Sequence, residues 1–147
     1  MNGGQAELEA ELDRLCRRVA CAAEVTIDLR NLPELRRIRS VVADHLGFGR
    51  GEDEPLGALL LVVDELVSNA YRHTDGPGEL RVVRQVRRFL VEVSDDDPGL
   101  DALRSASATA HFGLRLVGQL SLDWGFRTER TGKAVWALVP AQMYYER

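Results

Sequence analysis

The chain of 147 residues contains no apolar run long enough to cross a membrane. Its N-terminus, MNGGQAELEAEL, has neither a basic segment nor an apolar segment of the kind found in secretory signals. We therefore expect a cytoplasmic protein without a membrane partner. A formal net charge of -4 leaves no basic excess, so direct nucleic-acid binding is not expected either.

Cysteine, histidine and lysine are scarce. The two cysteines, Cys16 and Cys21, are five positions apart on a predicted helix, where they do not face each other, and a cytosolic setting keeps thiols reduced. The three histidines show no metal-ligand spacing, which argues against a zinc site. Lysine occurs only at Lys133, and the other Lys/Arg positions are all arginine. This bias indicates a GC-rich genome and carries no mechanistic signal.

Two units are predicted along the chain: a helical extension over residues 1–24 and one globular domain over residues 25–147. A hydrophobic content of 45% and a charged content of 29% are ordinary for a folded domain. Within the extension, residues 6–23 carry an apolar seam of two heptads. A coiled coil usually needs roughly three or four heptads. The seam therefore fits packing on its own domain and contact with a second copy in a homodimer about equally.

Helical and strand periodicities alternate in the rest of the chain. Helices are predicted at residues 35–47, 59–73 and 113–122, and strands at residues 25–29, 80–86, 89–94, 124–128 and 133–139. A loop that reaches Pro55 precedes the second helix. Short connections make hairpins of the last two pairs of strands. Because helices and hairpins are segregated, we predict an α+β fold, a two-layer sandwich whose mixed, mostly antiparallel sheet is covered by helices on one face.

The helix predicted at residues 59–73, LLLVVDELVSNAYRH, carries a row of polar side chains along its apolar stripe. Glu65, Asn69 and His73 are spaced four apart, so they lie on one face. Taken alone, such a row is most simply a hydrated helix face, because short motifs have a high false-positive rate. The motifs that follow it along the chain give the row more weight.

Four segments together resemble the GHKL ATPases, which share the Bergerat nucleotide-binding fold. They are DELVSNAYRH (64–73), VSDDDPG (93–99), HFGLRLV (111–117) and WGFRTERTGKAVWAL (124–138). Within that group the sequence is most similar to the small bacterial serine kinases that act as anti-sigma factors, and to their actinobacterial relatives. The resemblance implies an ATP-binding domain and leaves the N-terminal extension out.

On the predicted helix, the resemblance implies roles for four residues. Asn69 would supply its side-chain oxygen to a Mg²⁺ ion on the nucleotide phosphates, which suits a hard cation that takes few protein ligands. Glu65, one turn earlier, would activate the attacking water or substrate hydroxyl. Arg72 and His73 would lie near the phosphates.

The remaining motifs imply contacts with the rest of ATP. Asp95 would accept a hydrogen bond from the adenine amino group, and Gly99 would let the backbone pass close to the base. Gly113 and Leu114 would present the amides of a helix N-terminus to phosphate oxygens, with Arg115 as a further phosphate contact.

Three positions differ from the commoner form of the family. Asp97 and His111 stand where glycines are common, and Ala134 stands where a threonine is often found near the base. An added negative charge near ATP is unfavourable unless it points away, so Asp97 bears most on nucleotide affinity and on rate. Residues 100–112 would form the lid over the nucleotide.

The resulting functional hypothesis is an ATP- and Mg²⁺-dependent protein serine/threonine kinase that sequesters a sigma factor. Phosphorylation of an anti-anti-sigma (antagonist) protein would decide which partner it binds. The alternative is a binding module that switches partners without useful catalysis. Intact Glu65 and Asn69 favour the kinase, whereas Asp97 and Ala134 favour the binding module. A histidine kinase fits less well, because no upstream helix offers a histidine with an acidic neighbour, and His45 falls at a helix end before Gly47.

Overall fold

The computed structural model describes residues 24–46, 53–96 and 114–141, together with Gly4 and Glu7. The predicted N-terminal helix lies outside this part of the chain except for Glu7, which is helical. The predicted lid at residues 100–112 lies outside it as well. The division of the chain after residue 24 stays a prediction.

The described residues form the helices and strands that the periodicity predicts, except that the second helix starts earlier and the second strand runs from Pro77 to Arg84 instead of over residues 80–86. The helices are α1 (Leu35–His45), α2 (Asp53–His73) and α3 (Leu114–Leu120). The strands are β1 (Glu24–Asp28), β2 (Pro77–Arg84), β3 (Arg88–Asp95), β4 (Asp123–Thr128) and β5 (Lys133–Pro140). The prediction that Pro55 belongs to the preceding loop was wrong, because this proline falls in the first turn of α2, where no N–H is needed. Among the described helices, none is long and apolar enough to span a membrane.

The five strands form one sheet in the order β1-β2-β3-β5-β4. Each neighbouring pair is antiparallel, so the prediction that the sheet is mixed was wrong. Because β5 lies between β3 and β4, the first residue of β5 is placed beside the last residue of β3. The α+β sandwich predicted from the sequence is confirmed.

The hydrophobic core lies between the helices and one face of the sheet. The predicted stripe of α2 is buried in full: Leu59, Val63, Leu66, Val67 and Ala70. It packs on β3 and β5 and is flanked by α1 and α3. Each fully buried leucine or valine contributes about 1.5–3 kcal/mol, so this stripe holds α2 firmly against the sheet and fixes which of its side chains face away from the core.

The other face of the sheet carries a ladder of charges across four strands. Arg81 pairs with Glu24 and with Glu92, and Arg127 pairs with Glu92 and with Glu129. These side chains are partly exposed, and each such pair contributes at most about 1 kcal/mol. The ladder therefore marks a solvated face, on the side of the sheet away from α2.

Helix α1 is attached to α2 by two polar contacts in addition to the core. Arg39 Nη1 donates to Asp64 Oδ2 at 2.7 Å, and the Tyr71 hydroxyl donates to the carbonyl oxygen of Pro33 at 2.7 Å. Burial raises the pKa of the Tyr71 phenol, which keeps it a donor. The second oxygen of Asp64, Oδ1, is buried and has no hydrogen-bond partner within the described part of the chain. Asp64 therefore depends on Arg39 for compensation.

Replacing Arg39 by alanine is expected to lower the free energy of unfolding by about 1 kcal/mol, because a half-buried carboxylate loses the donor on which it depends. Urea unfolding followed by tryptophan fluorescence measures the change. The matched control is Arg36→Ala, since Arg36 lies 3.9 Å from Glu34 in a pair whose side chains are 87% and 79% exposed. The control should change stability by less than about 0.3 kcal/mol. Equal effects of the two substitutions would contradict the assignment.

Candidate active site

Asn69 carries a buried oxygen that packing leaves unexplained. Its Oδ1 is shielded from solvent and has no hydrogen-bond partner in the described residues. An acceptor left in this state costs about 1–3 kcal/mol, so such groups normally bind water or an ion. An amide oxygen is among the ligands that a hard cation takes. Asn69 Oδ1 therefore fits the Mg²⁺ ligand that the sequence predicts.

Glu65 lies one helical turn before Asn69 on α2, and both residues are half-buried. Side chains four apart on a helix are neighbours. The row runs along the edge of the core stripe of α2, so the Glu65 carboxylate and the Asn69 amide share one partly shielded surface. A carboxylate next to a cation ligand is placed to accept a proton from a group held at the same ion.

Arg72 and His73 form the exposed end of the same helix. Arg72 Nε donates to the backbone oxygen of Ser68 at 3.3 Å, which leaves the guanidinium along the helix surface. Cations are favoured at this end because it carries the negative pole of the helix dipole. The row on α2 thus runs from half-buried Glu65 and Asn69 to basic side chains at the exposed end of the helix, where they offset its negative pole.

Asp95 is buried at the end of β3 and is paired with Lys133. Lys133 Nζ donates to Asp95 Oδ1 at 3.1 Å, and the two side chains are 4% and 3% exposed. The two residues are direct cross-strand partners in the β3–β5 ladder. Sequence reasoning named Asp95 and passed over Lys133, since the strand register that joins them cannot be read from the motif.

Strand alternation separates Lys133 from the neighbouring Ala134. Lys133 pairs with Asp95, and Ala134 pairs with Ser94. Successive side chains of a strand point to opposite faces, so Lys133 lies on the helix-covered face and Ala134 on the face of the charge ladder. The β5 side chain that accompanies Asp95 is therefore a lysine, and the alanine is directed away from it.

The backbone around Asp95 is held by two turns. Asp96 N donates to the carbonyl oxygen of Gly76 at 2.9 Å, and Pro77, at the start of β2, pairs with Asp95. A Cβ built on Gly132 would lie 1.8 Å from the Asp95 carbonyl oxygen, so only glycine fits there. Because β2 begins four residues after the end of α2, the exposed end of α2 and the end of β3 lie at the same edge of the domain.

The start of α3 has one buried and one exposed residue. Leu114 belongs to the hydrophobic core, and Arg115 is exposed. Helix α3 packs directly on α2, so its first turn lies beside the helix that carries Glu65 and Asn69. The phosphate contacts implied for Leu114 and Arg115 stay predictions. Of the motif residues that were singled out above, Asp97, Gly99, His111 and Gly113 lie outside the described residues.

A match to a protein-family model covers most of the chain. A family model described as the histidine kinase-like ATPase domain matches residues 25–138. The matched range begins in β1, ends in β5 and includes every site residue considered above. A comparison with curated proteins gives no match.

Proposed function

The chain belongs to the family of histidine kinase-like ATPase domains, and on that premise we propose that it is an ATP- and Mg²⁺-dependent protein serine/threonine kinase. In this proposal it acts as an anti-sigma factor in a partner-switching system. It would bind a sigma factor in one state, and it would phosphorylate and release an antagonist protein in the other. Family membership implies ATP binding, while the acceptor residue and the partners belong to the proposal.

The observation that carries the proposal is the Asn69 side-chain oxygen, which is buried without a hydrogen-bond partner in the described part of the chain and lies one turn from Glu65. A buried amide oxygen without a partner among the described residues can be satisfied by a bound cation or by water, and an amide oxygen suits Mg²⁺. When bound, Mg²⁺ would neutralise the negative charge on the phosphates. Asn69 would hold the ion, and the exposed Arg72 and His73 would favour the phosphates at the end of α2.

Glu65 is placed to serve as the proton acceptor. As the substrate hydroxyl oxygen forms its bond to the γ-phosphorus of ATP, the bond from that phosphorus to the β–γ bridging oxygen breaks and ADP leaves. The hydroxyl proton passes to the Glu65 carboxylate. Asp95, which accepts a hydrogen bond from Lys133 Nζ, would receive the adenine amino group at the far end of the nucleotide.

A second candidate is a nucleotide-binding partner switch that does not phosphorylate its partner. Asp97 favours it, because a carboxylate in place of the family's glycine would add negative charge near the base if the resemblance holds at this position. This candidate predicts ATP binding without turnover. The kinase proposal predicts both, so turnover by the wild type separates them.

Isothermal titration calorimetry with ATP, with and without Mg²⁺, tests the site. The wild type should bind ATP with micromolar affinity that requires Mg²⁺. Asn69→Ala should weaken Mg-ATP binding about 10- to 100-fold, the expected effect of losing a polar contact to a charged group. The matched control is Ser68→Ala, the adjacent half-buried position on α2, which should stay within about twofold. No detectable heat with folded wild-type protein would overturn the proposal.

A further inference from the structure

The only lysine of the chain is buried on the helix-covered face of the sheet, with its ammonium 3.1 Å from the Asp95 carboxylate. Its side chain is 4% exposed, and that of Asp95 is 3% exposed. Lysine and aspartate are almost never buried to this extent unless they are paired. The Asp95–Lys133 pair is therefore a specific buried interaction at the edge of the sheet where β3 ends and β5 begins.

Stability alone does not account for this pair. Moving two charges out of water costs about as much as their attraction returns, so well-packed apolar residues at such positions are often equally stable. The side chains of the charge ladder on the opposite face stay partly exposed. Ion pairs with a purely structural role are therefore not buried elsewhere on the described strands of this sheet. The buried Asp95–Lys133 pair lies at the edge of the domain where α2 also ends. Its burial at this edge points to a role in ligand recognition.

We infer that Lys133 determines the base specificity of the nucleotide site by holding the Asp95 carboxylate charged and in a fixed orientation. The inference rests on the proposed nucleotide binding and deepens it. Lys133 acts as a positioning residue through Asp95, and Asp95 contacts the base. The turn at Gly132 packs closely against the backbone of Asp95. The ion pair with Lys133 then fixes the orientation of the Asp95 side chain.

The chemistry of the purine edge explains why the charge state matters. An ionised carboxylate only accepts hydrogen bonds, whereas a protonated carboxyl group also donates. Adenine presents an amino group at position 6, which donates to a carboxylate. Hypoxanthine and guanine present a carbonyl oxygen there, which a carboxylate repels and to which the O–H of a neutral carboxyl group can donate. A neighbouring cation favours the ionised form, and burial without the cation favours the neutral form. Lys133 thus makes the site selective for 6-amino purines.

Affinities for ATP and ITP, measured by calorimetry on the full chain with Mg²⁺, test the inference. The wild type should prefer ATP by about 10- to 100-fold, the expected effect of one hydrogen bond to a charged group. Lys133→Met, which removes the ammonium and keeps the apolar stem, should reduce this preference to less than about threefold. The matched control is Arg127→Met, which removes a cation of an ion pair on the opposite face and should keep the wild-type preference.

A second variant covers the case in which Lys133→Met does not fold. Lys133→Met alone leaves the Asp95 carboxylate buried without a cation, and the double variant Asp95→Asn/Lys133→Met removes that carboxylate. The asparagine side chain can donate to a carbonyl oxygen and can also accept from an amino group. It should therefore also lose the preference for ATP. A folded Lys133 variant with an unchanged ATP-to-ITP ratio would overturn the inference and leave ATP binding intact. A wild type that binds neither nucleotide would overturn the proposed function together with the inference.

The single lysine also permits a direct measurement on the unaltered protein. Labelling lysine with ¹³C at the ε position gives one NMR signal from this side chain, because Lys133 has no competitor in the sequence. ATP should shift that signal, while tripolyphosphate, which lacks a base, should leave it in place. An equal response to both probes would show that Lys133 contacts phosphate, and no response to saturating ATP would place it away from the nucleotide. Either of these results would overturn the inference.

Discussion

Replacing Glu65 by glutamine is expected to reduce ADP formation from ATP by about 10²- to 10⁴-fold, the usual contribution of a general base, while ATP affinity stays within about twofold. Glutamine has the same shape and keeps an acceptor oxygen, but its amide does not take up a proton at neutral pH. The substitution therefore removes the proton acceptor without disturbing α2. ADP release is measured with a coupled assay, and ATP affinity is measured by calorimetry on the same preparations.

Asp64 provides the control for this experiment, because it is the neighbouring carboxylate on α2. It bonds Arg39 of α1, so it belongs to the packing between the two helices. Asp64→Asn should retain turnover within about twofold of the wild type. Equal turnover by Glu65→Gln and wild type would exclude Glu65 as the base. ATP binding without turnover in the wild type would favour the second candidate function, the partner switch without catalysis.

Replacing Gly132 by alanine is expected to lower the free energy of unfolding by about 3 kcal/mol or more, the upper range for an added group that packing excludes. The new Cβ would lie 1.8 Å from the Asp95 carbonyl oxygen and 2.9 Å from the Asp96 Cα. Both neighbours are backbone atoms, so no side-chain rotation relieves the contact. The turn before β5 must move away from β3, and the Asp95–Lys133 pair must separate.

Urea unfolding measures this effect, with Trp124 and Trp136 of β4 and β5 as fluorescent reporters. The matched control is Gly57→Ala in α2, where an added Cβ meets nothing within 4 Å. An exposed glycine inside a helix is less stable than alanine by about 0.5–1 kcal/mol, so this substitution should stabilise the protein. The same change thus has opposite signs at the two positions. An unchanged unfolding midpoint for Gly132→Ala would contradict the close approach of the two backbones.

The helices and strands were predictable because their signals are local. A helix shows its apolar period of 3.6 residues and a strand its period of two, whatever surrounds them. The stripe of α2 is the clearest case, since Leu59, Val63 and Leu66 are buried as their spacing predicts. The start of α2 was misplaced because Pro55 reads as a loop residue, although the first helical turn tolerates it.

Part of the candidate site was predictable for the same reason. Glu65 and Asn69 are four residues apart in one helix, so their proximity follows from helix geometry before any tertiary contact is known. What their spacing did not show is that Asn69 Oδ1 is buried without a partner in the described structure. That depends on what the sheet and the other helices cover.

The sequence by itself determined which segments are helices and strands, which side of α2 faces the core, and that Glu65 and Asn69 are neighbours. Only the tertiary structure decided that β5 lies beside β3, in a register that sets Lys133 against Asp95 and turns Ala134 away. The physical reason is that strand pairing joins residues 38 positions apart in the chain, and a shift of one residue would move every side chain of β5 to the other face. Lys133, to which the sequence pattern assigns no role, thereby becomes half of a buried ion pair.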